Sequence, residues 1–282
     1  MKLIRILSSF ILFSLLYFTQ WKKKIVVANI RHASGDRSLK SVNLFYRTLL
    51  KHLSKHVVEF LIYKKPIRNF PTSMKNYPFY FDSLEFSIDP TSKSVLEEMR
   101  KGGLFMTAHF GNYELIGPWL CKIGIPLQAS YAPIKPHFLN RLLESKIRTI
   151  DGITYSTFVK NPKMILKLID EGKLFCLIAD QDYRKSKPIK SHFLNKPVLC
   201  NPLPDFILRH RPQTPIYFCS IREEGGKRIL IAKKISLLNN DGIEVYSQFH
   251  HWLEGLINQK RFLWYGWTHR RFLGKTKESS IY

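Results

Sequence analysis

The stretch GLFMTAHFGNYELIG, residues 103–117, is where the fold can be read most directly. Gly103 to Ala108 is a short apolar run of strand length, and His109 closes it. Gly111 and Asn112 then carry the two residue types best able to adopt the backbone angles of a tight turn. From about Tyr113 to Gly124 the apolar spacing becomes helical. On one continuous helix, His109 and Glu114 would point about 140° apart, because each residue turns about 100°. With a turn between them, Glu114 falls in the first helical turn and is expected to fold back onto the imidazole. A carboxylate on one ring nitrogen fixes the tautomer and leaves the other nitrogen to take a proton. The motif contains no serine or cysteine nucleophile, so the hydroxyl to be activated belongs to a substrate.

Outward from this stretch, strand and helix signals alternate. Ser94-x-x-Glu97 reads as a capping box and Gly102 as a helix stop. A strand is predicted near 126–131 and a helix from about His137 to Thr149. Asn161-Pro162 opens another helix, which ends at Gly172, and LFCLIA (174–179) follows as a strand. Strands near 215–221 and 228–235 flank the hairpin signal EEGG. The order predicts an α/β fold with a mixed, partly parallel sheet flanked by helices. The 174–179 strand ends in ADQD, with Asp180, Gln181 and Asp182. Functional groups gather at the C-terminal ends of parallel strands, so His109 and Asp180 are expected at one sheet edge.

The 45 Lys and Arg residues outnumber the 21 Asp and Glu, a formal charge of +24. Such an excess favours a partner rich in phosphates or an anionic membrane face. Aromatic residues are scattered rather than grouped for base stacking, which argues against nucleic acid. The four cysteines lie far apart with no CxxC pair, so no metal site is expected and the thiols are read as reduced. Ile4 to Trp21 is almost wholly apolar and is followed by Lys22, Lys23 and Lys24. This predicts a transmembrane anchor over residues 1–24 and a single domain over 25–282 on the cytoplasmic side. Residues 37–64 read as an amphipathic helix, with His52 and His56 on its polar face.

Three segments, HFGNYE (109–114), DQD (180–182) and WTHRRF (267–272), resemble the late acyltransferases of lipid A biosynthesis, the lauroyl and myristoyl transferases of Gram-negative bacteria. The resemblance runs from about residue 90 to 272 and implies a glycerolipid-acyltransferase-like fold. It also implies transfer of a fatty acyl group from acyl carrier protein to a hydroxyl of a lipid A precursor of the Kdo-lipid IVA type, at the inner membrane, without a cofactor. On this resemblance His109 is the base, Glu114 its partner, and Asp180 a position required for activity. The family's oxyanion arginine corresponds to Arg148 or Lys146, with Arg148 preferred. Asn112, Lys146, Asp182, His269, Arg270 and Arg271 make up the expected substrate-binding set, the two arginines as phosphate contacts. Tyr113 departs from the usual tryptophan. After DQD this chain has YRKSKPIKSHFLNKPV in place of a glycine and an FFG-like segment, a departure bearing on acyl-chain length. The same chemistry on another glycolipid, such as a phosphatidylinositol mannoside, and a non-enzymatic basic binding protein are the competing readings.

Overall fold

The computed structural model describes residues 2–35, 38–67, 69–130, 149–150, 153–154, 156–157, 161–185, 187–272 and 281. The N-terminal region is helical: α1 (Lys2–Phe18), α2 (Lys23–Ser34) and α3 (Leu39–Ile67). The chain breaks between α1 and α2, where Gln20 and Lys22 adopt left-handed backbone angles, and the two helices meet at 81°. Among the described residues no single helix is long and apolar enough to cross a membrane, although the bent α1–α2 pair is so in length and composition. The predicted anchor segment thus folds as α1 with a break before the lysines that open α2. One face of α1 is held to α3, where its lone charged interior residue, Arg5, is buried and paired with Glu59 at 3.3 Å. The opposite face, including Ile4, Leu7, Ile11, Leu15 and Phe18, is exposed.

Within α3, Val42, Leu49, Leu50 and Val58 are buried, as the amphipathic spacing predicts, whereas Leu39, Leu44 and Val57, from the same apolar set, are exposed. His56 departs from that expectation. It is buried against Tyr265 and Glu223 rather than solvated. Two strands, β1 (Phe79–Phe81) and β2 (Leu84–Ile88), lead to α4 (Ser92–Met99). Ser94 and Glu97 lie inside α4 instead of capping it. The turn before α4 is closed by Asp89, whose side chain accepts from the Thr91 amide at 3.0 Å.

The remaining elements in chain order are β3 (Gly103–Thr107), α5 (Ile116–Lys122), β4 (Leu127–Ser130), β5 (Thr149–Ile150), β6 (Ile153–Thr154), β7 (Ser156–Thr157), α6 (Pro162–Asp170), β8 (Leu174–Ile178), β9 (Ile189–Phe193), β10 (Lys196–Cys200), α7 (Leu203–His210), β11 (Ile216–Glu224), β12 (Lys227–Lys234) and α8 (Gly242–Gln259). Eight strands form one sheet in the order β1-β2-β12-β11-β3-β8-β4-β7. The β1–β2 and β11–β12 pairs are antiparallel and every other pairing in it is parallel. Strand β3 is buried along its whole length because both faces of the sheet are covered. Its side chains alternate between two cores: Leu104 and Met106 join the one built with α3, α7 and α8, and Phe105 joins the one built with α4 and α5. The segment after DQD that departs from the family pattern forms the β9–β10 hairpin, whose Leu194 amide donates to Glu254 of α8. The helix predicted over 137–149 lies outside the described residues, apart from Thr149 in β5. The four cysteines are unpaired, with Cys200 and Cys219 buried.

Candidate active site

Strands β3 and β8 are parallel neighbours with Thr107 opposite Ile178. Two residues further along each strand, the same register sets His109 opposite Asp180 at the C-terminal edge. His109 Nδ1 lies 2.7 Å from Asp180 Oδ1, and the His109 backbone amide donates to Asp180 Oδ2 at 3.0 Å. Trp264 Nε1–H donates to the same Oδ2 at 2.7 Å. The Asp180 side chain is fully enclosed, whereas that of His109 keeps 13% of its surface exposed. The segment after α8 closes the back of the site: Phe110 and Trp264 form an antiparallel bridge, and the Tyr265 amide donates to the His109 carbonyl at 2.6 Å.

The contact expected of Glu114 is therefore made by Asp180. Glu114 sits in a short 3₁₀ turn, Tyr113–Leu115, is exposed, and hydrogen bonds with Tyr113. A five-residue separation across a tight turn leaves its carboxylate beside the site, while parallel register delivers Asp180 directly onto Nδ1. Gly111 has φ +58, and a Cβ there would lie 2.9 Å from the Ile221 carbonyl, so this turn requires glycine.

Asn112, expected in the substrate-binding set, is turned into the interior. It is buried, and its Nδ2 donates to Glu59 Oε2 at 3.2 Å. Glu59 in turn receives both bonds from Arg228 Nη2 at 2.9 Å. Arg228 also pairs with Glu223, which contacts His56. Arg271 is likewise enclosed and cannot serve as an exposed phosphate contact. It lies 3.7 Å from Asp182, donates to the Leu199 carbonyl at 3.3 Å, and approaches Cys200 and His250. Asp182 is engaged by Arg184 at 2.7 Å as well, so the pair braces the loop after β8. His269 belongs to the site, with its ring 5.2 Å from that of His109 between centroids. Arg270 is exposed and lines a groove beside it. Arg148 and Lys146 lie outside the described residues.

The electrostatics follow from these neighbours. Burial raises the proton affinity of a carboxylate, yet the His109 imidazole and the Trp264 and amide donors outweigh it and hold Asp180 down at about 2. Burial opposes the charged form of His109, but Asp180 prevails and raises its pKa, with Glu114 adding to the rise. His269 is pushed down to about 4 by burial and by the positive field of His109 and Lys22. At neutral pH His269 is thus a neutral ring. With Nδ1–H donating to Asp180, Nε2 of His109 presents its lone pair, and the Gln181 amide nitrogen sits 3.3 Å from it. A substrate hydroxyl that displaces Gln181 would find a base already oriented.

Trp264, Gln181 and Glu59 were not legible as site residues. Gln181 had a signal, since it lies between two named acids. Glu59 and Trp264 come from α3 and from the segment after α8, with no local pattern linking them to residue 109. His52, His56 and Glu223 could each offer one ligand atom within 4.8 Å of one another. Lys55 and Arg228 both lie within ion-pair distance of Glu223, so the local field opposes a cation there.

A histidine held by a buried carboxylate at a strand end, and itself partly exposed, is suited to take a proton from a hydroxyl. The model of the bacterial lipid A biosynthesis acyltransferase family matches residues 93–274, well over half of the chain, and the chain belongs to that family. It is an acyltransferase of lipid A biosynthesis. No curated protein matches the chain. His109, Asp180 and Trp264 all fall within the matched residues, whereas α1, α2 and α3 precede them.

Proposed function

We propose that the protein transfers a fatty acyl group from acyl carrier protein to a hydroxyl of a lipid A precursor of the Kdo-lipid IVA type, with His109 as general base and Asp180 as the carboxylate that orients it. The observation that carries this reading is the 2.7 Å contact of Asp180 with Nδ1, which leaves Nε2 of the partly exposed ring facing only the Gln181 side chain among the described residues. The acceptor hydroxyl gives its proton to Nε2 while its oxygen attacks the thioester carbonyl carbon. The resulting tetrahedral oxyanion collapses, the carbon–sulfur bond breaks, and the leaving thiolate takes the proton from the imidazolium. An ester and a free thiol result, and the base is restored. Neutral His269, its ring 5.2 Å from that of His109, would donate a hydrogen bond to the oxyanion, and Arg148 or Lys146 would add a cation. One such donor is worth about 2.7–4 kcal/mol of barrier in a known case.

Attachment to the cytoplasmic face of the inner membrane belongs to the same proposal. The exposed apolar face of α1 suits in-plane insertion, with the lysines after it at the level of the head groups. The test is to incubate the purified full chain in detergent with acyl carrier proteins of several chain lengths and a tetra-acylated precursor, then weigh the product. A mass increase equal to one acyl group, lost in His109→Ala, is expected. Unchanged precursor mass with every donor would overturn the assignment of donor and acceptor.

A further inference from the structure

The bend between α1 and α2 encloses a groove of about 1300 Å³, lined by Lys22, Lys23, Lys24, Arg31, His32 and Arg270 among others. Among the described residues, none that lines it is acidic. Among the described residues, Lys22, Lys23, Lys24 and Arg31 form no ion pair. Lys22 and Lys23 rest instead on aromatic faces, over Trp21 at 4.9 Å and Tyr46 at 5.9 Å.

The arrangement is also unfavourable for the helix that carries it. Three lysines occupy the N-cap and first two positions of α2, no side chain caps that end, and its first turn holds no acid. A helix N-terminus already bears partial positive charge, so lysines there oppose the dipole, and an anion would relieve both.

The groove adjoins the active site. Arg270 follows His269 in sequence, and the positive field of Lys22 reaches both His109 and His269. It also adjoins lipid-compatible surface, because Thr19 and Gln20 line it directly after the exposed apolar face of α1 that ends at Phe18.

We infer that this groove binds a phosphate group on the head of the lipid acceptor, setting the acceptor so that its hydroxyl reaches His109. The inference rests on the acyltransferase reading given above and adds a site formed largely by residues before the family-matched segment. A phosphorylated amphiphile fits better than an acidic protein surface. The site is concave, and its charge meets an apolar helix face at the level where a head group meets its acyl chains.

The test uses the full chain in neutral detergent, with Lys24→Gln, Arg31→Gln and Arg270→Gln combined in one variant and thermal unfolding as the folding control. The acceptors are a phosphorylated precursor and the same precursor after phosphatase treatment. With the phosphorylated acceptor, acceptor KM is expected to rise roughly 10- to 100-fold, since charged hydrogen bonds are lost, while kcat stays within about twofold. With the dephosphorylated acceptor, variant and parent should agree within about twofold. Inorganic phosphate should compete only weakly if the lipid head group is the true source, whereas potent competition would identify a free-phosphate site and overturn the inference. A rise in donor KM with acceptor KM unchanged would assign the groove to the acyl carrier protein and overturn it equally. Independently of turnover, His109→Ala protein should co-sediment with vesicles carrying the phosphorylated precursor, and the triple substitution in that background should abolish the excess over dephosphorylated vesicles. Retention of that excess would sink the inference even if acyl transfer itself failed. A variant that does not fold is replaced by the three single substitutions, read by the same ratio of phosphorylated to dephosphorylated KM.

Discussion

Two buried ionic clusters flank the turn at 109–114, and they are built differently. On one side Asp180 holds His109, and the pair opens on one face to solvent. On the other, Glu59, Arg228 and Glu223 are sealed, with Glu59 and Arg228 exposing 0% and 1% of their side chains. The first has a titratable ring with one nitrogen held by Asp180 and the other facing the Gln181 side chain. The second satisfies Glu59 with hydrogen bonds from Arg5, Asn112 and Arg228, and Lys55 adds its charge at 3.8 Å. The first cluster suits the proposed proton transfer, and the second holds the backbone beside it. Asn112 joins them, since it shares the turn with His109 and hydrogen bonds to Glu59.

The comparison breaks most sharply at His109. His109→Ala should lower acyl transfer by about 100- to 10,000-fold while leaving the unfolding midpoint near that of the parent. Comparable turnover in a folded variant would remove the base from the mechanism. Glu59→Ala should act through folding instead. Stranding Arg228 beside a lost partner is expected to cost about 3–5 kcal/mol of stability, read by urea denaturation. A stable Glu59→Ala protein with wild-type activity would show that the sealed cluster does not support the site.

A smaller effect separates Asp180 from Glu114. Because His109 is raised above its ordinary 6.5, kcat/KM should climb with pH through an inflection above that value as the ring loses its proton. Asp180→Asn should move this inflection down, and Glu114→Gln should move it less, since Glu114 touches Tyr113 rather than the imidazole. Equal shifts would place both carboxylates on the ring. For stability the signs differ. The depressed Asp180 contributes above its unfolded value near 3.8, and that contribution is lost as pH falls toward about 2. The raised His109 contributes below 6.5, and its contribution is lost as pH rises through the folded value. The smallest effect is expected at Trp264→Phe, which removes one donor from the buried Asp180 carboxylate. It should cost about 1–3 kcal/mol, measured by thermal unfolding, and raise the acid limb of the stability profile. An unchanged profile would mean that the His109 contacts alone suffice to hold Asp180 ionised.

Much of this was legible in local patterns. The apolar run 103–108 became β3, 174–179 became β8, Asn161 caps α6, and EEGG turns between β11 and β12, because periodicity and turn residues report backbone state within a few neighbours. The placement of His109 and Asp180 at strand ends followed from the same patterns. Which carboxylate meets the imidazole did not, because it depends on the parallel register between β3 and β8, across 71 residues of chain. Basic residues were equally ambiguous: Arg270 and Arg271 are adjacent in WTHRRF, yet one is exposed and the other fully buried against Asp182 and His250. The charge of an arginine is written in the sequence, but its solvation depends on what packs around it. Burying a charge without partners is too costly to persist, so the partners brought by distant elements set the role of each such residue.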